Sequence, residues 1–381
     1  MKKIGKEILL LSTDDNCPRM GEGAFIKLND NSIMLAYTKY YKGSGDDHDP
    51  ADIVYRLSFD QGESFGDEQI LFKKTADQQN VMSLSFLRMK NGDLGVFYIV
   101  KAMKNGTLIC KPVFRRSSDE GKSWSDPVWV IEDDGYFVLN NDRIERLSDG
   151  RIMLMVADHS YIDEDGSRRG LYQNEPGTAG RIALVCSEDD GKTFTTRYDV
   201  LVSPYNDSTR FQEPGLFEMS NGDIFAYCRT AYGCQYQSIS KDGGKTFPPA
   251  IPNFMFTSPD SPMKIKKIAD KTVAIFNPLG YNCLRRDVEI WKSPKRTPLV
   301  CAVTDDDSLF DSTDKDARNG GFDRFTDSCY FLEDDMTNSY CYPSLLEVDD
   351  GFLVAYYHSN GTPQCLKSLK ITKVLMSELK K

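Results

Sequence analysis

Apolar and polar residues alternate along most of the chain in short runs that turn back on themselves. Six stretches read as strand, tight polar turn, strand: residues 24–35, 86–98, 144–154, 216–226, 264–276 and 345–355. Four of the turns carry an Asn-Gly or Asp-Gly pair, at Gly92, Gly150, Gly222 and Gly351. Alternation with period two places one face of a strand inward, and Asn-Gly or Asp-Gly between two such runs is a hairpin signal. Helical periodicity is scarce.

A second pattern follows the hairpins: Ser/Thr-x-Asp-x-Gly-x-Ser/Thr-aromatic. It runs through Ser58, Asp60, Gly62, Ser64 and Phe65, then Ser117, Asp119, Gly121, Ser123 and Trp124. It returns at Ser187, Asp189, Gly191, Thr193 and Phe194, and at Ser240, Asp242, Gly244, Thr246 and Phe247. A degenerate copy without the glycine lies at Thr304, Asp306, Ser308 and Phe310. The residue types describe a turn. Gly accepts a positive φ, Asp and Ser/Thr side chains bond nearby backbone N–H groups, and the aromatic anchors the turn in the core. Hairpins repeated along a whole chain are the mark of a radial β-repeat. The expectation is one domain over residues 1–381, a six-bladed β-propeller of four-stranded antiparallel blades. The last unit lacks strands after Tyr357, so residues 4–11 are expected to supply its outer strand.

Composition narrows the function. Of 381 residues, 57 are acidic and 47 basic, a net charge of −10. Such a chain is not expected to bind nucleic acid or an anionic membrane surface. No run approaches the ~20 apolar residues of a membrane span. The 10 Cys are scattered without a CxxC pair, which fits reduced thiols and leads to the expectation of a cytoplasmic protein. His48, His159 and His358 are too far apart in sequence to suggest a metal site.

The repeated turns resemble the Asp-boxes of the sialidase (neuraminidase) superfamily. The boxes bear on fold and not on activity, because they also occur in propellers of other function. The resemblance implies a site of three Arg that clamp a sugar carboxylate, a Tyr nucleophile, a Glu that activates it and an Asp acid/base. Tyr342-Pro343-Ser344-Leu345 is similar to the segment that carries the nucleophile, with Pro343 where the family has Ser. Gln212-Glu213-Pro214 stands just before a hairpin that ends in Arg229, the context of the activating Glu and one Arg. Arg296 begins a run leading to the degenerate box, the place of another Arg. Arg19 holds the place of the first Arg, although Met20-Gly21 replaces the family's Ile-Pro. Asp49, in the loop ahead of Asp52-Ile53, best matches the acid/base, with Asp46, Asp47 and His48 as alternates for that role and as expected substrate contacts. Arg143, at the equivalent place in the third unit, is a further candidate for binding.

The chemistry asks for these groups. Guanidiniums hold a carboxylate through charge-assisted, partly bidentate bonds. A neutral phenol avoids the repulsion that a carboxylate nucleophile would meet beside the sugar's own acid group, the exception sialidases make to the two-carboxylate scheme. Glu213 would take the phenol proton, and no metal or other cofactor is required. The expected function is that of a retaining exo-α-sialidase, with an oligosaccharide or small glycoside bearing a carboxylate as partner. The alternatives are a hydrolase or lyase for another acidic glycan, and a non-catalytic carbohydrate-binding propeller.

Overall fold

The computed structural model describes residues 1–172, 180–204, 211–279, 296–313 and 328–379. Hairpins dominate. Met20–Lys27 pairs with Ile33–Tyr40, Gln78–Arg88 with Leu94–Lys104, Gln212–Glu218 with Ile224–Arg229, Lys264–Ile268 with Lys271–Phe276, and Tyr340–Val348 with Gly351–His358, all antiparallel. In each, alternate side chains enter the space between neighbouring sheets. The ring closes where Phe25 and Leu35 of the first hairpin pack with Leu353 and Ile371 of the last.

The fold is an all-β propeller, but the expectation of six separate four-stranded blades is overturned by the hydrogen bonding. Among the described residues, two sheets of five strands, two of four and a short two-stranded ladder of Tyr161–Ile162 with Arg168–Arg169 stand alone. The first two hairpin units are fused into a single eight-stranded sheet. The join is a parallel pair between Ala51 and Asn80. Asn80 is buried, and its amide donates to the backbone carbonyls of Asp47 and Asp49 at 2.9 Å each. Counting hairpins in a sequence gives repeats; it does not show where a side chain draws two repeats into one ladder. The N-terminal residues serve two sheets. Lys2–Lys3 adds in parallel to Cys329–Glu333, and Lys6–Leu11 pairs antiparallel with Ser368–Leu375.

All four boxes use one bonding scheme. The first Ser hydroxyl donates to the Asp carboxylate at 2.7–2.9 Å and accepts from the box Gly N–H at 2.8–2.9 Å. The same carboxylate takes the N–H and hydroxyl of the following Ser or Thr. Bonds from Ser123 and Thr193 hold Asp119 and Asp189 down at about 2. These bonds fix the turns.

The axis is filled by residues 140–143, which interrupt the inner edge of the third unit. The Asp142 N–H donates to Leu84 O at 3.1 Å, and its carboxylate accepts from Leu345 N and Lys266 Nζ at 3.0 Å each. Lys264 donates to the Asp142 carbonyl. Asn141 donates to Gly23 O at 2.9 Å and to Tyr342 O at 3.3 Å. Arg143 donates to Tyr227 Oη at 3.2 Å and Met263 O at 2.5 Å. One tetrapeptide thus bonds to every other part of the ring. Removing one partner of a buried ionic network leaves the others desolvated and unpaired, at a cost of about 3–5 kcal/mol. Asp142→Ala is therefore expected to lower unfolding free energy in urea by about that amount. A loss under about 1 kcal/mol, the size of a typical surface change, would show that the plug is dispensable.

Candidate active site

The site is built from irregular backbone. Four innermost strands carry a bulge near their start, between Gly21 and Ala24, Met82 and Ser85, Gln212 and Gly215, and Cys341 and Ser344. Inside each bulge sits a non-glycine residue with positive φ: Glu22 at 50°, Ser83 at 56°, Glu213 at 47° and Tyr342 at 56°. Asp142 of the axial plug shares this conformation at 53°. An L-residue held there costs roughly 1–3 kcal/mol, and such strain collects at functional sites. A bulge also re-aims the side chain that the regular pleat would send elsewhere.

The structure brings Tyr342, Glu213, Arg229 and Arg296 together. The Tyr342 hydroxyl donates to Glu213 Oε1. Arg229 Nη1 lies 2.8 Å from the same oxygen and 3.5 Å from the Tyr342 hydroxyl. The strand register causes this, since Gln212 pairs with Arg229 across the hairpin. The Arg296 guanidinium stands 5.7 Å from the Tyr342 ring centre. Burial and the Glu213 carboxylate raise the Tyr342 phenol well above its ordinary value, against the lowering pull of the two arginines. It is a neutral phenol at rest.

Asp260 was not singled out from sequence, yet its carboxylate accepts from Arg229 Nε at 2.6 Å. Burial would raise it, but Arg229 outweighs that and holds it below the usual carboxylate range. Two buried atoms of these residues have no hydrogen-bond partner among the described residues: Glu213 Oε2 and Arg296 Nη1. Unpaired buried polar atoms are rare and call for a ligand or a water.

Arg19 lies on the other flank, joined to the phenol through Tyr357. Its Nε donates to Tyr357 Oη at 2.8 Å, and the Tyr357 ring meets the Tyr342 ring edge-on at 5.7 Å. Glu22 and Asp47 both pair with Arg19 at 2.5 Å. Burial pushes the Glu22 carboxyl up, although Arg19 opposes the rise. Glu22 and Tyr357 too were missed in sequence. The only signal for Glu22 is its place three residues after Arg19, equivalent to Glu213 and Tyr342 in their own units.

The acidic loop is corrected in detail. Asp49, expected as the acid/base, is held by the backbone of its own loop. Its Oδ2 accepts the backbone N–H groups of Ser44, Gly45 and Asp46 at 2.8–2.9 Å. Gly43, at φ 80°, leaves the room for this carboxylate, which a Cβ there would approach to 2.3 Å. Asp49 is the loop's brace, because a carboxylate surrounded by three amides is committed to them. Asp47 is the loop carboxylate that reaches Arg19, and its side chain is 57% exposed. Burial would raise Asp47, but Arg19 and Lys101 together hold it below the ordinary range. Asp46 caps the His48 N–H at 3.0 Å, and His48 Nε2 lies 3.1 Å from the Tyr136 hydroxyl. Arg143 is not brought to the cup. It is buried in the axial plug on Tyr227 and Met263, since its segment enters the channel instead of running along the blade. A cavity of about 570 Å³ lies among the third and fourth boxes, lined by Arg151, Cys186, Asp189, Arg197 and Lys245, none of them a cup residue.

A phenol bonded to a carboxylate, flanked by guanidiniums on a ring of hairpins, defines a β-propeller of the sialidase superfamily. The chain belongs to the BNR repeat-like domain family, whose pattern matches residues 32–355. No curated protein sequence matches it significantly. Among solved structures it is similar to a protein of unknown function from Dyadobacter fermentans, with 17% identity, TM-score 0.69, and 97% of this chain and 98% of that one covered. It is also similar to the intramolecular trans-sialidase of Ruminococcus gnavus, solved with oseltamivir carboxylate, with 14% identity, TM-score 0.65, and 94% and 95% covered. The Hadza microbial sialidase Hz136 matches with 13% identity, TM-score 0.67, and 99% and 69% covered. At these identities the likeness is one of fold.

The brace role of Asp49 has a direct readout. Hydrogen bonds to a charged group contribute about 1.5–3 kcal/mol each. In Asp49→Ala the amides of Ser44, Gly45 and Asp46 are expected to exchange with solvent about tenfold faster or more. Mass-spectrometric hydrogen exchange across residues 41–50 measures this, and unchanged rates would remove the brace.

Proposed function

We propose that the protein is a retaining exo-glycosidase of the sialidase type, releasing a terminal sialic acid or a related acidic sugar. One observation carries the reading: the Tyr342 hydroxyl donates to Glu213 within reach of Arg229 and Arg296. A phenol is a poor nucleophile until a base takes its proton, and Glu213 is that base by position. As the bond from Tyr342 Oη to the anomeric carbon forms, the glycosidic C–O bond breaks. The phenol proton passes to Glu213.

The leaving oxygen takes its proton from Asp47, which replaces Asp49 in that role because Asp49 is consumed by the loop amides. The incoming carboxylate raises the proton affinity of Asp47 by like-charge repulsion. In the second step Asp47 accepts a proton from water, the hydroxide carbon bond replaces the tyrosyl bond, and Glu213 returns its proton to Tyr342. Two inversions give net retention. Arg229 and Arg296 hold the acid group throughout by charge-assisted bonds.

A hydrolase or lyase for a different acidic glycan is the second reading. It is favoured by the engagement of Arg19, which departs from a three-armed clamp. A panel of aryl glycosides separates the two: release from an α-sialoside supports the first, and release only from a uronide supports the second.

Two outcomes test the chemistry. Glu213→Gln is expected to lower kcat on a fluorogenic α-sialoside by about 10²–10⁴-fold, the range of general acid–base catalysis, and Tyr342→Phe by at least as much. Full activity in Tyr342→Phe excludes the assigned nucleophile. Lys101 donates to the Asp47 carbonyl at 2.8 Å and helps hold its carboxyl low. Removing that cation lets the Asp47 value rise, so Lys101→Met is expected to move the kcat pH profile toward higher pH. A profile that stays in place, or moves down, takes Asp47 out of the mechanism.

A further inference from the structure

We propose that Arg19 is not an arm of the acid-group clamp but a strut that fastens the 41–50 loop, and that Arg296 and Arg229 alone hold the ligand's carboxylate. This rests on reading the cup as an acid-sugar site.

The case begins with the donors of Arg19. A guanidinium has five N–H groups in a planar fork. Nε is given to Tyr357 Oη at 2.8 Å. Nη1 is given to Gly45 O at 3.2 Å and Asp47 Oδ1 at 2.5 Å, and Nη2 to Glu22 Oε1 at 2.5 Å. One N–H remains. A bidentate grip on a carboxylate needs two parallel N–H groups on one edge of the fork, and no edge of Arg19 offers two. Two aromatic rings crowd it as well. The Tyr40 ring lies 4.7 Å from the guanidinium carbon and the Tyr357 ring 5.4 Å. Arg19 is 2% exposed.

Displacing a partner is not an easy route. Glu22 is 4% exposed and enclosed with Arg19. Asp47 is exposed, but its backbone carbonyl is tied by Asn80 Nδ2 at 2.9 Å and Lys101 Nζ at 2.8 Å. The loop that carries it is therefore pinned from the second hairpin unit as well as by Arg19.

The other two arginines differ. Arg296 has no carboxylate partner among the described residues, and its Nη1 is buried without an acceptor there. Arg229 spends Nε on Asp260 and Nη1 on Glu213, which leaves Nη2 with no protein acceptor among the described residues. The two unspent groups flank Tyr342. An anion arriving at the phenol meets those donors, not the spent ones of Arg19.

The local sequence accounts for the change. Where the family resemblance leads one to expect Ile-Pro after the first Arg, this chain has Met20-Gly21-Glu22. A Cβ at residue 21 would come within 2.3 Å of the Tyr357 ring, so Gly21 is what admits Tyr357 over Arg19. The bulge that follows turns Glu22 back onto Arg19. Both substitutions serve to immobilise the guanidinium.

Binding of 2,3-didehydro-2-deoxy-N-acetylneuraminic acid and of its carboxamide, measured by calorimetry on the full chain, tests the assignment. Arg296→Lys is expected to weaken the carboxylate ligand about tenfold or more and to erase its preference over the carboxamide. Arg19→Lys is expected to keep that preference within about threefold, while kcat on an aryl sialoside falls about tenfold with little change in KM, because the loop is loosened. Loss of the preference in Arg19→Lys, to the extent seen in Arg296→Lys, overturns the strut and leaves the acid-sugar reading intact. If Arg19→Lys fails to fold, Asp47→Asn decides. A ligand that had to displace Asp47 from Arg19 would bind this variant about tenfold tighter, whereas the strut predicts affinity unchanged within about threefold. A wild-type protein with no preference between the two ligands overturns both readings together.

Discussion

The molecule depends on a buried plug of polar backbone at its axis. A ring of sheets leaves a channel, and apolar side chains do not fill it here. Residues 140–143 do, and most of their polar groups find partners, because burying an unpaired charge or amide costs more than a made bond returns. The partners come from every side of the ring: Leu84, Leu345, Lys264, Lys266, Tyr227, Met263 and Gly23. Asn140 Oδ1 and Arg143 Nε are left without a partner among the described residues, but the bonds that are made fix one arrangement of sheets. The same segment reaches the cup, since Asn141 bonds the carbonyls of Gly23 and Tyr342, next to the two bulges that shape it. Position of the Tyr342 phenol and closure of the ring are one problem with one solution.

The second constraint is charge. A chain of net charge −10 gathers Arg19, Arg229, Arg296 and Lys101 in one cup, and answers them with Glu22, Asp47, Glu213 and Asp260. The cup is not a bare positive surface. Arg19 and Arg229 are each held by two carboxylates that orient them, and donors fixed before a ligand arrives cost no reorganisation when it binds. What remains unspent lies on either side of Tyr342. The arrangement places the Tyr342 phenol beside arginine donors without a protein acceptor among the described residues.

How much of this was legible beforehand can be judged residue by residue. The box turns could be read in full, because a turn is a local object. Ser, Asp, Gly and Ser or Thr at fixed spacing bond to one another and need nothing distant. The association of Glu213 with Arg229 was also within reach, since a hairpin brings its two outer ends together whatever the rest of the chain does. Asp49 was misjudged because spacing cannot tell a carboxylate that faces the cup from one that folds back onto its own loop amides. Arg143 was misjudged because the third unit looks like the others in sequence, and only the filled axis shows that its inner edge leaves the blade. Asp260, Tyr357 and Lys101 had no local signature at all, since each acts through a partner distant along the chain; Glu22 pairs with Arg19 only three residues away, but it takes the bulge to turn it there.

The same division separates the repeat from the ring. By itself the sequence determined the all-β hairpin units, the box turns and the acidic surface, all of which follow from short-range alternation, turn chemistry and charge counting. Only the tertiary structure decided how the units join. A single buried amide, that of Asn80, ties the first two into one eight-stranded sheet, where hairpin counting had given six separate blades. It also decided which arginines keep donors to spare, because a guanidinium's state is set by acceptors that fold in from other sheets. The bonds of a repeated turn motif are written in the sequence, and those that a bulge, an irregular loop or a distant sheet creates are not.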